Sequence, residues 1–334
     1  MSRFASLICK ALGAMLALSA VLTLSPATVA LAADAYPSKY VRLVIPWGPG
    51  GSSDLVGRRI AAELSKRLGQ QVIVENRVGA AGVIGSEVVA KAAPDGYTLL
   101  LAQSSHTVQP AVQKLPFDPI TSFTPIAMIG SAPLIFAVHP GVPAKTLKEF
   151  IALAKQKPNQ LIFAGTGVGS SAHLGTELFM KMAGIECKIV QFKGGAGPAL
   201  IDVLGGHSHA LMGVSVTTPL QQVKSGLLRA LATTGKKRSA LLPDIPTVSE
   251  AGVPGYKGVL WWGILAPAGT PGPVANRLTR EIKAILAMEE VKKFFLSQAA
   301  DEEFMDPKEF TQFMEEEIAQ WTKVVKQTNI QVER

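Results

Sequence analysis

The sequence predicts an α/β fold with two lobes joined by crossing strands. Three observations lead there. Short β-branched runs alternate with amphipathic helical stretches, the pattern of parallel strands with crossover helices. The alternation falls into two sets that meet near 130–133. A long apolar run at 258–266 then returns, as a strand re-entering the first lobe would. The length of 334 residues suits about two domains. With 48% hydrophobic and 17% charged residues the chain can bury a core, which a disordered chain cannot.

The first residues are read as a targeting segment. Arg3 and Lys10 precede an apolar run at 11–24, too short to span a bilayer comfortably, and Pro26 breaks it. Small residues at Ala30 and Ala32, the two positions a signal peptidase reads, lead to the expectation that residues 1–33 are a signal peptide cleaved near Ala32 or Ala33. Cys9 leaves with that segment. Cys187 stays alone in an apolar stretch and reads as a small buried hydrophobe. The mature chain is then expected in the periplasm, outside the bilayer.

In the first set, strands are expected at 40–45, 72–75 and 97–102, with helices at 54–68 and 82–93. The second set holds strands at 134–138, 161–164, 189–192, 210–212 and 228–232. Its helices are expected at 146–157, opened by a capping box at Thr146–Glu149, at 171–183 and at 197–204. After the returning strand, Pro271 sits at the first position of another helix. The last helix starts at 306–309 and lines up Phe310, Phe313, Ile318, Trp321 and Val325 as packing, with 315–317 as its solvated side. Lobe I would comprise 34–132 plus 264–334, and lobe II 133–263, with crossover strands near 130–137 and 258–266.

Charge excludes one partner class. The formal net charge is +8, and its longest basic run is Lys236–Arg238, which reads as a solvated loop. A nucleic-acid binder would cluster basic residues with aromatics between them, so no nucleic-acid partner is expected.

Chemistry concentrates at four strand ends. PWGPGGSSD (46–54) places Gly50 and Gly51, then Ser52 and Ser53, at a helix entrance that favours an anion. No Lys follows the glycines, so it is not a Walker loop, and a tight turn with a serine cap explains the same residues. AGTGVGSSAH (164–173) repeats the arrangement with Thr166, Gly167, Gly169, Ser170 and Ser171. Its spacing resembles a dinucleotide loop, but the following strand ends in Gln191–Lys193 instead of an acidic residue, so no nicotinamide cofactor is expected. QSSHT (103–107) brings Ser105 and His106, and KGGAGP (193–198) brings Gly195. Together the four describe a pocket for a small anion held by amides and hydroxyls. Sheets of this type bind ligands beyond the carboxyl ends of their strands.

Catalysis finds little support. Serines stand beside His106 and His173, but no GxSxG elbow occurs. His207 and His209 could share a face and begin a metal site, yet no HExxH or CxxC accompanies them. No catalytic residue, metal or cofactor is expected.

In order, PWGPGGSSD, VENRVGAAG (74–82), AAPDGYTLL (92–100), LPFDP (115–119), GTGVGSSAHL (165–174), FKGGAGPA (192–199), LLPDIPTVSEAGVPGY (241–256) and LAPAGTP (265–271) resemble the Bug family, the extracytoplasmic solute-binding proteins of tripartite tricarboxylate transporters. The resemblance covers essentially the mature chain. It implies a two-lobed periplasmic-binding-protein fold of Venus-flytrap, type II-like form, monomeric, that delivers a small organic carboxylate to membrane permease subunits. A subunit that senses a ligand for a two-component sensor kinase is the alternative, and a cleft enzyme acting on a carboxylate a further one. It also implies that loops 48–53 and 165–171 grip a carboxylate. The ligand set expected from residues and resemblance together is Trp47, Gly50, Gly51, Ser52, Ser53, Ser105, His106, Thr166, Gly167, Gly169, Ser170, Ser171, Gly195 and His209. One departure stands out. Where many members carry two acidic residues, this chain reads GGHSHALMGV (205–214), which favours a ligand without an amine. Trp47, Trp261 and Trp262 are expected to offer an apolar wall, which would suit an aromatic carboxylate.

Overall fold

The β-branched runs become strands of a single sheet in this computed structural model, which describes residues 36–192, 195–256 and 258–328. The expected signal peptide lies outside the described residues. The fold runs from Lys39 onward. Its strands are β1 (Val41–Ile45), β2 (Val72–Asn76), β3 (Thr98–Gln103), β4 (Phe123–Val138), β5 (Ile162–Gly165), β6 (Lys188–Gln191), β7 (Ala210–Ser215), β8 (Arg229–Thr233) and β9 (Val259–Pro267). Its helices are α1 (Ser52–Leu68), α2 (Val83–Ala90), α3 (Ser105–Val112), α4 (Leu147–Gln156), α5 (Ser171–Ala183), α6 (Ala196–Leu204), α7 (Leu220–Lys224), α8 (Gly272–Leu286), α9 (Glu289–Ser297) and α10 (Pro307–Thr328).

The strand order is β2-β1-β3-β9-β4-β7-β5-β6, with β8 also paired to β4. Parallel pairing holds within each half: β1 with β2 and β3, and β5 with β6 and β7. The halves are joined by antiparallel strands. β4 pairs β9 through Phe123–Pro133, then pairs β7 and β8 through Leu134–Val138. β4 is longer than the 134–138 expected from sequence, because it carries the crossing itself. This is the two-lobed α/β fold with crossing strands.

Helices cover both faces of the sheet, so its strands are apolar on both sides. In the second half Phe136 and Phe163 on the strands meet Phe150 of α4 and Phe179 of α5, with Phe136 edge-on to Phe150 and Phe179. In the first half Trp261, central in β9, packs edge-on against Phe310 and Phe313 of α10. Gly213 shows how closely a helix approaches. A Cβ there would stand 2.6 Å from the Cβ of Ala172 and 2.7 Å from its Cα, at φ +86, so only glycine lets the start of α5 rest on β7. Among the described residues no helix is long and apolar enough to cross a membrane.

Candidate functional site

The carboxyl ends of β1, β3 and β5 carry loops that open helices, as Pro46–Asp54, Gln103–His106 and Gly165–Ser171, and beyond β6 a further helix starts at Ala196 with Gly195 as its cap. In the first loop the glycines leave the backbone free, and a buried carboxylate restrains it. Asp54 is 2% exposed. It accepts from Gly50 N–H (2.9 Å), Arg58 Nε (2.9 Å) and Asn76 Nδ2 (2.9 Å), and the same Asn76 amide donates to Trp47 O (2.8 Å). Burial pushes the Asp54 carboxyl up, but the bonds from Arg58, Gly50 and Asn76 and the Arg58 charge outweigh it and hold the group below its usual range. The Gly50 amide is therefore engaged internally. Gly51 caps α1 without a side-chain bond, so the first-turn N–H groups are not capped by a side chain, and Ser52 stands half-exposed beside them. Ser53 is buried instead. Its hydroxyl donates to Gln103 Oε1 and accepts from Trp262 Nε1 (2.9 Å), so it braces the loop and is not one of the free donors expected.

The segment after β3 opens a helix, α3, as expected of a helix entrance, although no range was expected for it. Ser105 lies under the first loop, its Oγ 3.6 Å from where a Cβ on Gly82 would be, with the Trp47 ring 3.1 Å from that point. His106 does not offer charge to a ligand. Its ring packs against Phe117 and Phe123, its Nε2 pairs with Pro119 O (2.8 Å), and burial holds its pKa down at about 4. It is a neutral wall residue. A cavity of about 10 Å³ lies behind it, bordered by Gly82, Ser86, Ser105 and Gln109.

The second loop is held by neutral groups. Gly167 N–H donates to Gln191 Oε1 (2.9 Å), and Gly169 N–H donates to His173 Nδ1 (3.1 Å). Ser170 caps α5 by accepting from His173 N–H (3.1 Å), and Thr166 Oγ1 lies 3.4 Å from its oxygen. Gln109 Nε2, on α3, donates to Gly169 O (3.1 Å) and ties the two halves together at the loops. The Gly167 and Gly169 amides are thus committed inside the protein, which corrects the expectation that they face an anion. What remains toward the rim is half-buried Thr166, Ser170 and Ser171, the second and third as hydroxyls at the start of α5. Gly195 caps α6 in a positive-φ conformation, again without a side-chain cap.

Three further expectations are corrected. His209 stands at the amino end of β7: its N–H donates to Ile162 O (2.9 Å) and its Nδ1 accepts from Ile162 N–H (3.2 Å), at the start of β5. The loops follow the other end, about 10 Å away at 3.3 Å per residue. Segment 207–214 therefore spans the strand from end to end, and only its Gly213–Val214 part is near the loops. Trp261 and Trp262 are both 0% exposed, since β9 is central in the sheet with helices on both sides; of the three tryptophans only Trp47 is partly exposed at the rim. Glu317 is not solvated. Its Oε2 accepts from the Trp321 and Trp261 indoles (3.1 and 3.4 Å) and from Thr107 (3.3 Å), and burial pushes its carboxyl up. The basic run behaves as read: Lys236, Lys237 and Arg238 are solvent-facing and pair with Glu303, Asp301 and Glu250.

Sequence reasoning missed Asn76, Gln103, Gln109 and Gln191, the amide side chains that shape the loops. The larger cavities are elsewhere: two of about 510 and 410 Å³ lie along the β4–β9 crossing against α10 and the 235–240 loop, and an open one of about 450 Å³ lies over residues 110–119. The lining of the first two mixes Lys236–Arg238 with Asp301–Glu303 and Phe313, and none of the strand-end loops borders any of the three, so the loop geometry outweighs cavity size in locating the site. Chemically, the loops present hydroxyls and helix N-termini with little formal charge, a set suited to binding a small anion.

Known proteins share this fold. The family model described as "Tripartite tricarboxylate transporter family receptor" matches residues 56–330. The chain is 36% identical to protein BugT of Bordetella pertussis over 321 residues, 94% of this chain and 98% of that one. It is similar to an R. palustris protein solved with adipate, at 34% identity and TM-score 0.79, covering 88% of this chain and 99% of the other. It is also similar to MatC from Rhodopseudomonas palustris with bound malate, at 31% identity and TM-score 0.74, covering 87% and 100%. The chain belongs to the tripartite tricarboxylate transporter receptor family, the Bug family of solute-binding proteins.

Proposed function

We propose that the protein captures a small organic carboxylate between its lobes in the periplasm and hands it to the permease subunits of a tripartite transporter. The observation that carries this is the pair of uncommitted hydroxyls, Ser52 and Ser171, at helix entrances in both halves, with Thr166 beside the second and the nearby charges neutralised internally. A carboxylate placed there would meet donors that are already oriented, and closure of lobes 34–132 plus 264–334 and 133–263 would exclude water around it. The relatives solved with adipate and malate support a dicarboxylate.

The ligand carries no amine in this reading. No acidic side chain stands at Gly213–Val214, and the Asp54 carboxylate is already satisfied by Arg58, Gly50 and Asn76. An enclosed ammonium would lose its hydration with poor compensation. The Trp47 ring offers the ligand an apolar contact. The mature protein, cut near Ala32 or Ala33, acts as a monomer and catalyses nothing.

Thermal-shift measurements of the mature chain against succinate, adipate, malate, citrate, terephthalate and glutamate test this. The best diacid at a hundred times its Kd should add about 2.7 kcal/mol of stability. Glutamate matching that diacid would end the amine-free reading, and no shift with any carboxylate would end the carboxylate reading.

A further inference from the structure

The second loop is built around one side chain that the committed hydrogen bonds leave half-used. Gln191 ends β6, in register with Gly165 at the end of β5. Its amide lies across the glycine: a Cβ at position 165 would be 2.3 Å from Gln191 Oε1, 2.7 Å from Cδ and 2.9 Å from Nε2. Any side chain at 165 would expel it. Because Oε1 accepts from Gly167 N–H at 2.9 Å, the orientation of the amide is fixed, and the opposite end is the donor. That donor, Nε2, is buried and has no partner among the described residues. A buried unpaired donor is costly, and one beneath the loop that opens α5 is badly placed for packing alone.

Neighbouring donors and acceptors do not serve it. Gly169 N–H is taken by His173, Ser170 Oγ accepts from His173 N–H, and Gly169 O accepts from Gln109. The acceptor that matches Nε2 has lone pairs and no hydrogen of its own to place, which is the chemistry of a carboxylate oxygen. We propose that Gln191 is a specificity-determining residue of the second lobe, holding the Gly165–Gly169 loop through its oxygen and donating through Nε2 to a carboxylate oxygen of the ligand as the loop settles on it. This rests on the carboxylate-binding reading above and adds a side chain to it.

Calorimetry on the mature chain with adipate and malate as probes separates the two ends of the amide. Q191E keeps an oxygen for Gly167 N–H but removes the donor, and Q191M removes both. With Q191E, affinity for the better probe should fall about 30-fold or more at pH 7.5, with the melting temperature of the protein alone little changed. At pH 5 part of that loss should return relative to wild type, because the introduced carboxyl then carries a proton again to donate. Q191M should lose about tenfold with no pH-dependent recovery. If Q191E binds within threefold of wild type, or shows no recovery at pH 5, Gln191 only shapes the loop and the proposal is overturned. A wild-type chain that binds neither these nor the other carboxylates overturns the carboxylate reading as well, whereas normal wild-type binding with an unaffected Q191E overturns this inference alone.

Discussion

The two loops that open α1 and α5 look alike in sequence and are restrained by opposite means. Around Gly50 a buried carboxylate does the holding, with Asp54 bonded to Gly50, Arg58 and Asn76. Around Gly167 and Gly169 the acceptors are a glutamine oxygen and an imidazole nitrogen. A glycine-rich loop gains its shape from whichever acceptors lie beneath it, because its own residues impose so little. The charged solution is strong but needs a counterion; the neutral one is weaker and leaves no net charge to repel an anion. α3 stands between them, with Ser105 beside the first loop and Gln109 bonded to the second.

The largest effect should come from charging that shared wall. His106 is accommodated as a neutral ring, with a pKa of about 4 against about 6.5 when unfolded. The unfolded chain takes up the proton first, so the stability is complete above pH 6.5 and is lost as pH falls toward 4. The loss is about 3 kcal/mol by pH 4. Urea unfolding from pH 7.5 to 4 measures it, and His106→Asn should show a slope shallower by that amount. Parallel curves for the two proteins would mean that the wall tolerates charge.

Breaking the first loop comes next. Asp54→Ala strands Gly50 N–H, leaves the Asn76 amide only its bond to Trp47 O, and removes the charge partner of Arg58. Because Arg58 is half-exposed, the cost should be about 2 kcal/mol, below that of a fully buried pair, and ligand affinity should fall with it. The depressed carboxyl adds a pH signature of its own: its contribution is present above the ordinary Asp range and is lost as pH falls through the lower folded value. Gln109→Ala should cost less, about 1 kcal/mol, since only neutral bonds are removed, one to Gly169 O and one from the part-exposed Gln113 amide. If Gln109→Ala destabilises as much as Asp54→Ala in chemical denaturation, the contrast between the loops is wrong.

Much of this frame was legible in the sequence and much of the restraint was not. Periodicity located most strands and helices because β-branched runs and apolar stripes are local properties. β4 escaped over half its length because Pro125, Gly130 and Pro133 punctuate it, and the register shifts near Pro125 and Gly130 are how the sheet absorbs them. α3 reads in the sequence as a helix entrance without a range, because Ser, His, Thr and Pro110 are poor helix formers that tertiary packing overrides. The glycine loops were visible, but their acceptors were not: Asn76 and Gln191 come from strands distant in sequence, and an amide side chain has no spacing rule to betray it. The tryptophans misled for a related reason. An aromatic pair reads equally as wall or core until the strand carrying it is known to be central.

The smallest effect is the most selective test of the comparison. Arg58 is 51% exposed on its side chain while Asp54 is 3%, so the pair lies where salt can reach one partner. At low ionic strength an Asp54→Asn and Arg58→Met double-mutant cycle should read a small favourable coupling, below either effect above. Raising salt to about 1 M shortens the screening length to about 3 Å, which should weaken that coupling. The Gln191–Gly167 bond joins neutral groups, so the stability difference between wild type and Q191M should stay constant over the same range. Equal salt dependence in both loops would mean that the second is held by charge that the hydrogen bonds do not reveal, and no dependence in either would mean that Asp54 works through its bonds to Gly50 and Asn76 alone.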